Sequence, residues 1–272
     1  MSVQRRNNVH VRGQGPATMV FVHGFGCDQN IWRLIEPGFA QRFRTVALDL
    51  VGSGGSDLAA YDRAKYGSLQ GHADDILEIV EEFARGPVIF VGHSVSAMIG
   101  VLADLASPGR FAAHAMIGPS PCYLNDGDYQ GGFTRQDIDA LLETMESNYI
   151  GWSGNVAPSL MGAPEHPELA EGLANSFCHT DPEIAKHFAR VIFLSDHRAA
   201  LARFKTPALV LQCSDDLIVP LSVGQYIQRT LGAGVLRVLD NVGHYPHISS
   251  PAACTAAIDE FLSTLPGLPH AA

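Results

Sequence analysis

The feature that most constrains this chain is a short apolar strand at residues 88–91, followed at once by a sharp turn and a helix. The strand residues Val-Ile-Phe-Val are mostly β-branched or aromatic, which is typical of a buried strand. The turn Gly-His-Ser occupies residues 92–94, and apolar residues beyond it recur at helical spacing. A serine at the apex of a strand–turn–helix is the structural context of a nucleophile elbow, which the pattern G-x-S-x-G marks.

Ser96 stands where that pattern has its final glycine. The glycine lets the helix and the strand approach closely, and serine is small enough to replace it. An ordinary buried serine before a helix is the alternative interpretation of this pentapeptide taken alone. A catalytic role for Ser94 therefore requires a base and an orienting acid elsewhere in the chain.

Strand-like and helical segments alternate over most of the 272 residues, which predicts an α/β fold with a mostly parallel, twisted sheet flanked by helices. The alternation stops between residues 122 and 196, where helical patterns predominate. We therefore expect a core formed by residues 1–121 and 197–272, with a helical lid at 122–196. The predicted strands are 9–11, 19–22, 45–50, 88–91, 115–117, 208–212 and 235–239, and the clearest helices are 69–84 and 251–262.

Aspartates follow a late strand and histidines follow the last one. With Ser94 they give the chain order Ser…Asp…His, which is that of the α/β-hydrolase fold. A histidine takes the proton of the serine hydroxyl, and a buried carboxylate fixes the histidine tautomer. Asp216 directly precedes an apolar run, so we favour it over Asp215. His244 follows a glycine in a turn, so we favour it over His247, which we expect to be structural.

The turn at residues 23–26 follows an early buried strand. Because the carboxyl ends of parallel strands carry the ligand sites of open α/β sheets, the backbone N–H of Phe25 is a candidate oxyanion donor. The N–H of Val95, directly after the nucleophile, is the second candidate. An ordinary βα turn is the alternative interpretation of the first segment. His93, beside the serine, is expected to pack behind the turn.

Several other chemistries are disfavoured by the pattern of residues. The glycine run at 52–56 fits neither dinucleotide-binding nor phosphate-loop spacing, so we predict no nucleotide cofactor. His244 and His247 lack a third ligand on a shared helix face, so we predict no metal. A serine rather than an aspartate at the elbow argues against dehalogenase and epoxide-hydrolase chemistry, which leaves acyl transfer to water.

Composition narrows the partners and the compartment. A formal net charge of −10 disfavours nucleic acid and anionic membranes as partners, and 46% hydrophobic residues suit a well-packed core. Five scattered cysteines form no C-x-x-C, which favours a reducing compartment. Residues 1–8 lack the apolar run of a signal peptide, and no stretch is long enough to span a bilayer, so we expect a cytoplasmic protein.

Longer runs resemble a narrower group, namely the bacterial stress-response regulator RsbQ and the plant strigolactone and karrikin receptors. The resemblance extends from about residue 8 to residue 262. The runs similar to the bacterial regulator are GFGCDQ at 24–29, VGSG at 51–54 with SDL at 56–58, PSPCYLND at 119–126 and SDHR at 195–198. Those similar to the plant receptors are His23, GHSVSAM at 92–98 and DYQGGF at 128–133.

This resemblance implies a triad of Ser94, Asp216 and His244, and a V-shaped lid of four helices over a deep apolar pocket. It also implies slow hydrolysis of a small hydrophobic ester or butenolide-type lactone in a signalling role, through a phosphatase-like protein partner in the bacterial case. Val156 stands where the plant receptors tend to carry an aromatic residue, so a strict plant-ligand preference is not implied. The residues expected to line the pocket are Phe25, Tyr123, Phe133, Trp152, Val156, Ile192, Phe193 and Ile218.

Two other functions are compatible with the same sequence features. One is a metabolic carboxylesterase that turns over small esters rapidly and has no signalling partner. The other is a cofactor-free lyase or peroxidase on the same scaffold, which would leave simple esters nearly untouched.

Overall fold

A seven-stranded sheet forms the centre of the computed structural model, which describes residues 1–232 and 234–269. The strand order is β1-β3-β2-β4-β5-β6-β7; β1 pairs with β3 in antiparallel fashion and every other pairing is parallel. The predicted α/β fold class is thereby confirmed. The strands are β1 (His10–Arg12), β2 (Thr18–Val22), β3 (Arg44–Leu48), β4 (Val88–His93), β5 (Ala113–Ile117), β6 (Ala208–Asp215) and β7 (Gly234–Val242).

Helices cover both faces of this sheet. The predicted helix at 69–84 is observed at Gln70–Phe83, and the predicted closing helix at 251–262 is observed at Pro251–Ser263. The helices are α1 (Val3–Arg6), α2 (Glu36–Phe39), α3 (Gln70–Phe83), α4 (Val95–Ala106), α5 (Arg135–Met161), α6 (Pro167–His179), α7 (Pro182–Phe193), α8 (Arg198–Arg203), α9 (Leu221–Thr230), α10 (Pro246–Ser249) and α11 (Pro251–Ser263).

Helices α5, α6 and α7 follow one another without an intervening strand. Helix α5 is broken at Asn148, whose φ of −154° and ψ of 75° are not helical, so four helical segments lie between residues 135 and 193. Asp181 caps α7 by accepting the N–H groups of Glu183 and Ile184, as its position before Pro182 predicts.

The two ends of this helical insertion meet. Cys122 and Asp196 form an isolated β-bridge, and the N–H of His197 donates to the carbonyl of Pro121 at 2.7 Å. Both ends therefore leave the sheet at nearly the same place. The division into a core of 1–121 and 197–272 and a lid of 122–196 stays a prediction, and positions 233 and 270–272 of that core lie outside the described residues.

The strand register sets the edge of the sheet where chemistry can occur. Val22 at the end of β2 lies beside Gly92, and His93 at the end of β4 lies beside Ile117 at the end of β5. Because these strands are parallel, the loops that follow them emerge along one edge. All residues of β2, β4 and β5 are buried, as expected for strands covered on both faces.

Within the described part of the chain, we find no helix with both the length and the apolar character needed to span a membrane.

Candidate active site

Ser94 occupies the sharp turn between β4 and α4 with a left-handed backbone conformation, φ 55° and ψ −123°. This conformation is energetically unfavourable for a residue with a Cβ, and such backbone strain is concentrated at functional sites. The N–H of Ser94 donates to the carbonyl of Ile117 at 2.8 Å, which ties the turn to the neighbouring strand. The predicted strand–turn–helix is therefore present, with Ser94 at its apex.

The close approach of α4 to β4 is between Gly92 and the backbone of Ser96. A Cβ on Gly92 would lie 2.8 Å from the backbone carbonyl of Ser96, so only glycine fits. The loop that follows β2 also packs tightly on the elbow, since a Cβ on Gly24 would lie 3.3 Å from the Cβ of Ser94.

A continuous chain of hydrogen bonds joins Ser94, His244 and Asp216. His244 Nε2 lies 2.8 Å from Ser94 Oγ, and His244 Nδ1 lies 2.7 Å from Asp216 Oδ2. Because an ionised carboxylate only accepts, Nδ1 carries the proton and Nε2 is free to accept from the serine hydroxyl. The second oxygen of Asp216 accepts the N–H groups of Ile218 at 2.9 Å and Val219 at 3.1 Å, which fixes the carboxylate.

The alternative acid, Asp215, and the alternative base, His247, take no part in these hydrogen bonds. The side chain of Asp215 is exposed. Its backbone carbonyl accepts a hydrogen bond from the N–H of Gly243. His247 is fully buried, and neither of its ring nitrogens has a hydrogen-bond partner among the described residues. Burial lowers the pKa of His247 to about 3, so its ring is neutral near pH 7.

His244, the candidate base, is held through its backbone as well as its ring. The N–H of His244 donates to the carbonyl of Leu160 at 2.7 Å, and its carbonyl accepts from His93 Nε2 at 2.9 Å. His93 is fully buried, and burial lowers its pKa well below the usual range, so it is a neutral donor at this position. Gly118 leaves room for the base, since a Cβ there would lie 3.0 Å from the His244 ring.

The two candidate oxyanion donors belong to two different elements. Val95 begins α4, and Phe25 lies in the loop after β2. Within the described ranges, the backbone N–H groups of Phe25 and Val95 donate to no other residue. An N–H group left without a partner beside a nucleophile is available to a ligand oxygen.

An apolar cavity of about 230 Å³ opens onto Ser94 and His244. All eight residues expected from the resemblance line it. Five further lining residues were not predicted. Helical periodicity carries a signal for Leu141 and Phe177. The positions of Leu160, Leu217 and Tyr245 depend on long-range packing. The full lining is Phe25, Ser94, Tyr123, Phe133, Leu141, Trp152, Val156, Leu160, Phe177, Ile192, Phe193, Leu217, Ile218, His244 and Tyr245.

The cavity wall is mainly apolar and contains no acidic side chain, lysine or arginine among the described residues. Burial raises the pKa of Tyr123 to about 12, so its hydroxyl keeps its proton. Cys27, two residues beyond Phe25, is a neutral thiol, because burial raises its pKa to about 12. An isolated charge on a ligand would find no partner in this wall.

No group of three or more His, Cys, Asp or Glu side chains is placed to hold a metal ion anywhere in 1–232 or 234–269.

A mostly parallel α/β sheet that presents a serine at a strained elbow, beside a histidine hydrogen-bonded to an aspartate, defines the α/β-hydrolase class. The model of the alpha/beta hydrolase family matches residues 19–257, and the chain belongs to this family.

Individual relatives cover nearly the whole chain. The chain is 38% identical to Karrikin insensitive 2 receptor CA of Petunia hybrida, over 92% of this chain and 93% of the relative. It is 38% identical to Strigolactone esterase D14 of Arabidopsis thaliana, over 90% of this chain and 92% of the relative. The solved structure of a hydrolase from Oleispira antarctica matches with a TM-score of 0.91 and 39% identity, over 96% of both chains. The predicted resemblance to the plant receptor group is confirmed.

Proposed function

We propose that this protein is a serine hydrolase that slowly cleaves a small, neutral, hydrophobic ester or butenolide-type lactone and acts in signalling. The observation that carries the proposal is the hydrogen-bonded chain Asp216–His244–Ser94 ending in an apolar cavity without charged walls. The family membership and the relatives named as esterases support ester hydrolysis.

In the proposed reaction, Ser94 Oγ attacks the ester carbonyl carbon while His244 Nε2 takes the hydroxyl proton. The carbonyl oxygen becomes an oxyanion, which the N–H groups of Phe25 and Val95 stabilise. Collapse of this intermediate breaks the ester C–O bond, and the leaving oxygen receives the proton from His244. Water, deprotonated by His244, then cleaves the acyl-enzyme and regenerates Ser94. Asp216 holds the histidine tautomer and stabilises the imidazolium in both acylation and deacylation.

The cavity limits the substrate class by size and polarity. Its volume of about 230 Å³ lies below the range of roughly 300–1,000 Å³ that is usual for drug-sized ligands. Its wall consists mainly of aromatic and branched aliphatic side chains; besides Ser94 and His244, the lining side chains that carry a polar atom are Tyr123, Trp152 and Tyr245. A small uncharged ester or lactone fits these conditions, whereas a phosphate ester or a free acid does not.

The signalling part of the proposal rests on the relatives. Proteins named as karrikin receptors and strigolactone esterases align with nine-tenths of this chain. We infer that ligand turnover changes the insertion over the cavity and thereby the affinity for a protein partner, which the bacterial resemblance suggests is phosphatase-like. A metabolic esterase would use the same residues but would turn over rapidly and need no partner.

The test compares the wild type with Ser94→Ala on aryl esters and on butenolide enol ethers, with the melting temperature measured at each ligand concentration. We expect Ser94→Ala to abolish turnover and labelling by a fluorophosphonate, because no other activated nucleophile faces the cavity in the described residues. Ser153→Ala is the matched control, since Ser153 is also buried but does not line the cavity. Labelling of Ser94→Ala as strong as that of the wild type would refute the serine mechanism.

The kinetics then separate the remaining functions. Turnover over minutes, with a butenolide shifting the melting temperature, supports a sensor. Rapid Ser94-dependent turnover without a ligand-dependent shift would make the protein a metabolic esterase. Folded protein that leaves every ester intact would favour the lyase or peroxidase interpretation.

A further inference from the structure

Ser96, which replaces the final glycine of the elbow pattern, makes a hydrogen bond that glycine cannot make. Its side chain is fully buried, and its Oγ donates to the backbone carbonyl of His23 at 2.5 Å. His23 directly follows β2, 73 positions earlier in the chain. The hydroxyl therefore connects the first turn of α4 to the loop that carries Phe25.

The ring of His23 continues this connection into the loop. Its Nε2 accepts the N–H of Leu50 at 3.0 Å, so the proton lies on Nδ1. Nδ1 then donates to the carbonyl of Gly24 at 2.7 Å. In a trans peptide the carbonyl and the following N–H point in opposite directions. Holding the Gly24 carbonyl against His23 therefore turns the N–H of Phe25 away from His23.

We propose that Ser96 is a positioning residue for the oxyanion hole. The two donors belong to different elements: the N–H of Val95 lies at the start of α4, and the N–H of Phe25 lies beyond β2. Ser96 is the residue after Val95, and its side chain holds His23, two residues before Phe25. One side chain thus sets the distance between both donors, so that a single substrate oxygen can bind both when it becomes negatively charged.

This inference rests on the proposed function, because it requires a tetrahedral intermediate formed on Ser94. A donor held loosely stabilises the transition state less, while the apolar cavity still binds the substrate. Removing the Ser96 hydroxyl should therefore lower kcat and leave KM nearly unchanged. Loss of a whole oxyanion donor costs about 100- to 1,000-fold in kcat, so we expect a loosened donor to cost about 10- to 100-fold.

The experiment measures kcat and KM for an aryl ester in Ser96→Ala and Ser96→Gly, together with the affinity for a boronic acid that forms a tetrahedral adduct on serine. We expect boronic-acid affinity to fall in parallel with kcat/KM. Ser96→Gly restores the residue of the common pattern, so it guards against a variant that fails to fold. Thr18→Val is the control for loss of a buried hydroxyl far from the elbow. Thr18 lies at the start of β2, where its Oγ1 donates to the Arg85 carbonyl at 2.7 Å and accepts the Arg85 N–H at 2.8 Å.

The possible failures are distinguishable. Hydrolysis that persists in Ser94→Ala would overturn the proposed function itself. If Ser94→Ala is inactive while both Ser96 variants keep wild-type kcat and boronic-acid affinity, the proposed serine mechanism is retained. The proposed positioning role of Ser96 is then refuted. A rise in KM with unchanged kcat, or a loss equal to that of Thr18→Val, would likewise show that Ser96 only supports packing.

Discussion

At the scale of single residues, adjacent positions in this chain have opposite environments. Asp215 ends β6 with an exposed side chain, whereas the carboxylate of Asp216 is buried and accepts His244 and two backbone N–H groups. A buried carboxylate with both oxygens hydrogen-bonded is rigid, which is what an orienting acid requires.

Replacing Asp216 should therefore impair catalysis far more than replacing its neighbour. In Asp216→Asn the amide no longer selects the Nδ1–H tautomer, so we expect kcat/KM for an aryl ester to fall by about 1,000- to 10,000-fold. Asp215→Asn is the matched control and should stay within about 2-fold of the wild type, because its side chain faces solvent. Equal losses in the two variants, measured by steady-state kinetics, would contradict the proposed triad.

At the scale of elements, helix α6 of the insertion packs directly on the loop that carries Phe25. Ser176 Oγ in α6 donates to the carbonyl of Gly26 at 3.0 Å. Gly26 has a φ of +68°, and a Cβ there would lie 1.9 Å from the Phe177 ring. Movement of α6 is therefore coupled to the loop that carries one of the proposed oxyanion donors.

We expect Gly26→Ala to be strongly destabilising for two separable reasons. The left-handed backbone costs about 1–2 kcal/mol for alanine, and the clash with Phe177 adds about 1–3 kcal/mol. Gly127→Ala isolates the first cost, because Gly127 has a φ of +56° and open space around it. The free energy of unfolding from urea titration should fall further in Gly26→Ala; similar losses in both variants would show that α6 does not pack tightly on this loop.

At the scale of the whole molecule, the fold buries several histidines in the neutral state. Burial lowers the pKa of His72 and of His247 to about 3, and it lowers the pKa of His114 as well. In the unfolded chain a histidine titrates near 6.5. Between these values the unfolded state binds protons that the folded state does not, so the folded state loses stability as the pH falls.

The free energy of unfolding should therefore decrease below about pH 6.5, by roughly 1.4 kcal/mol per pH unit for each such histidine. At pH 4.5 His72 and His247 together would remove roughly 5 kcal/mol, comparable to the whole stability of many domains. Urea titrations between pH 7.5 and 4.5 measure this slope. His247→Leu should reduce the slope of unfolding free energy against pH by about 1.4 kcal/mol per pH unit, the contribution of one proton. The control is His166→Leu, which should leave the slope unchanged because the His166 side chain is 66% exposed. An unchanged slope in His247→Leu would contradict the argument.

Much of the fold and the candidate site is predictable from the sequence. Hydrophobic periodicity located all seven strands within a few residues, and the Asp181–Pro182 pair located the start of α7. The order of Ser94, Asp216 and His244 along the chain was enough to nominate them. The sequence predicted Ser96 only as a small residue at the close approach of helix and strand; the backbone of Ser96 does lie against Gly92, but the hydrogen bond of its side chain was not predicted.

The sequence by itself determined the element order and the candidate chemistry, because strand and helix patterns and elbow turns are encoded within a few consecutive residues. Only the tertiary structure decided which aspartate faces His244, that Leu160 and Tyr245 complete the cavity, and that Ser96 bonds to His23. The hydrogen bonds from Asp216 to His244 and from Ser96 to His23 join residues 28 and 73 positions apart. They depend on strand register and on the packing of the helices, which no local pattern of residue types specifies.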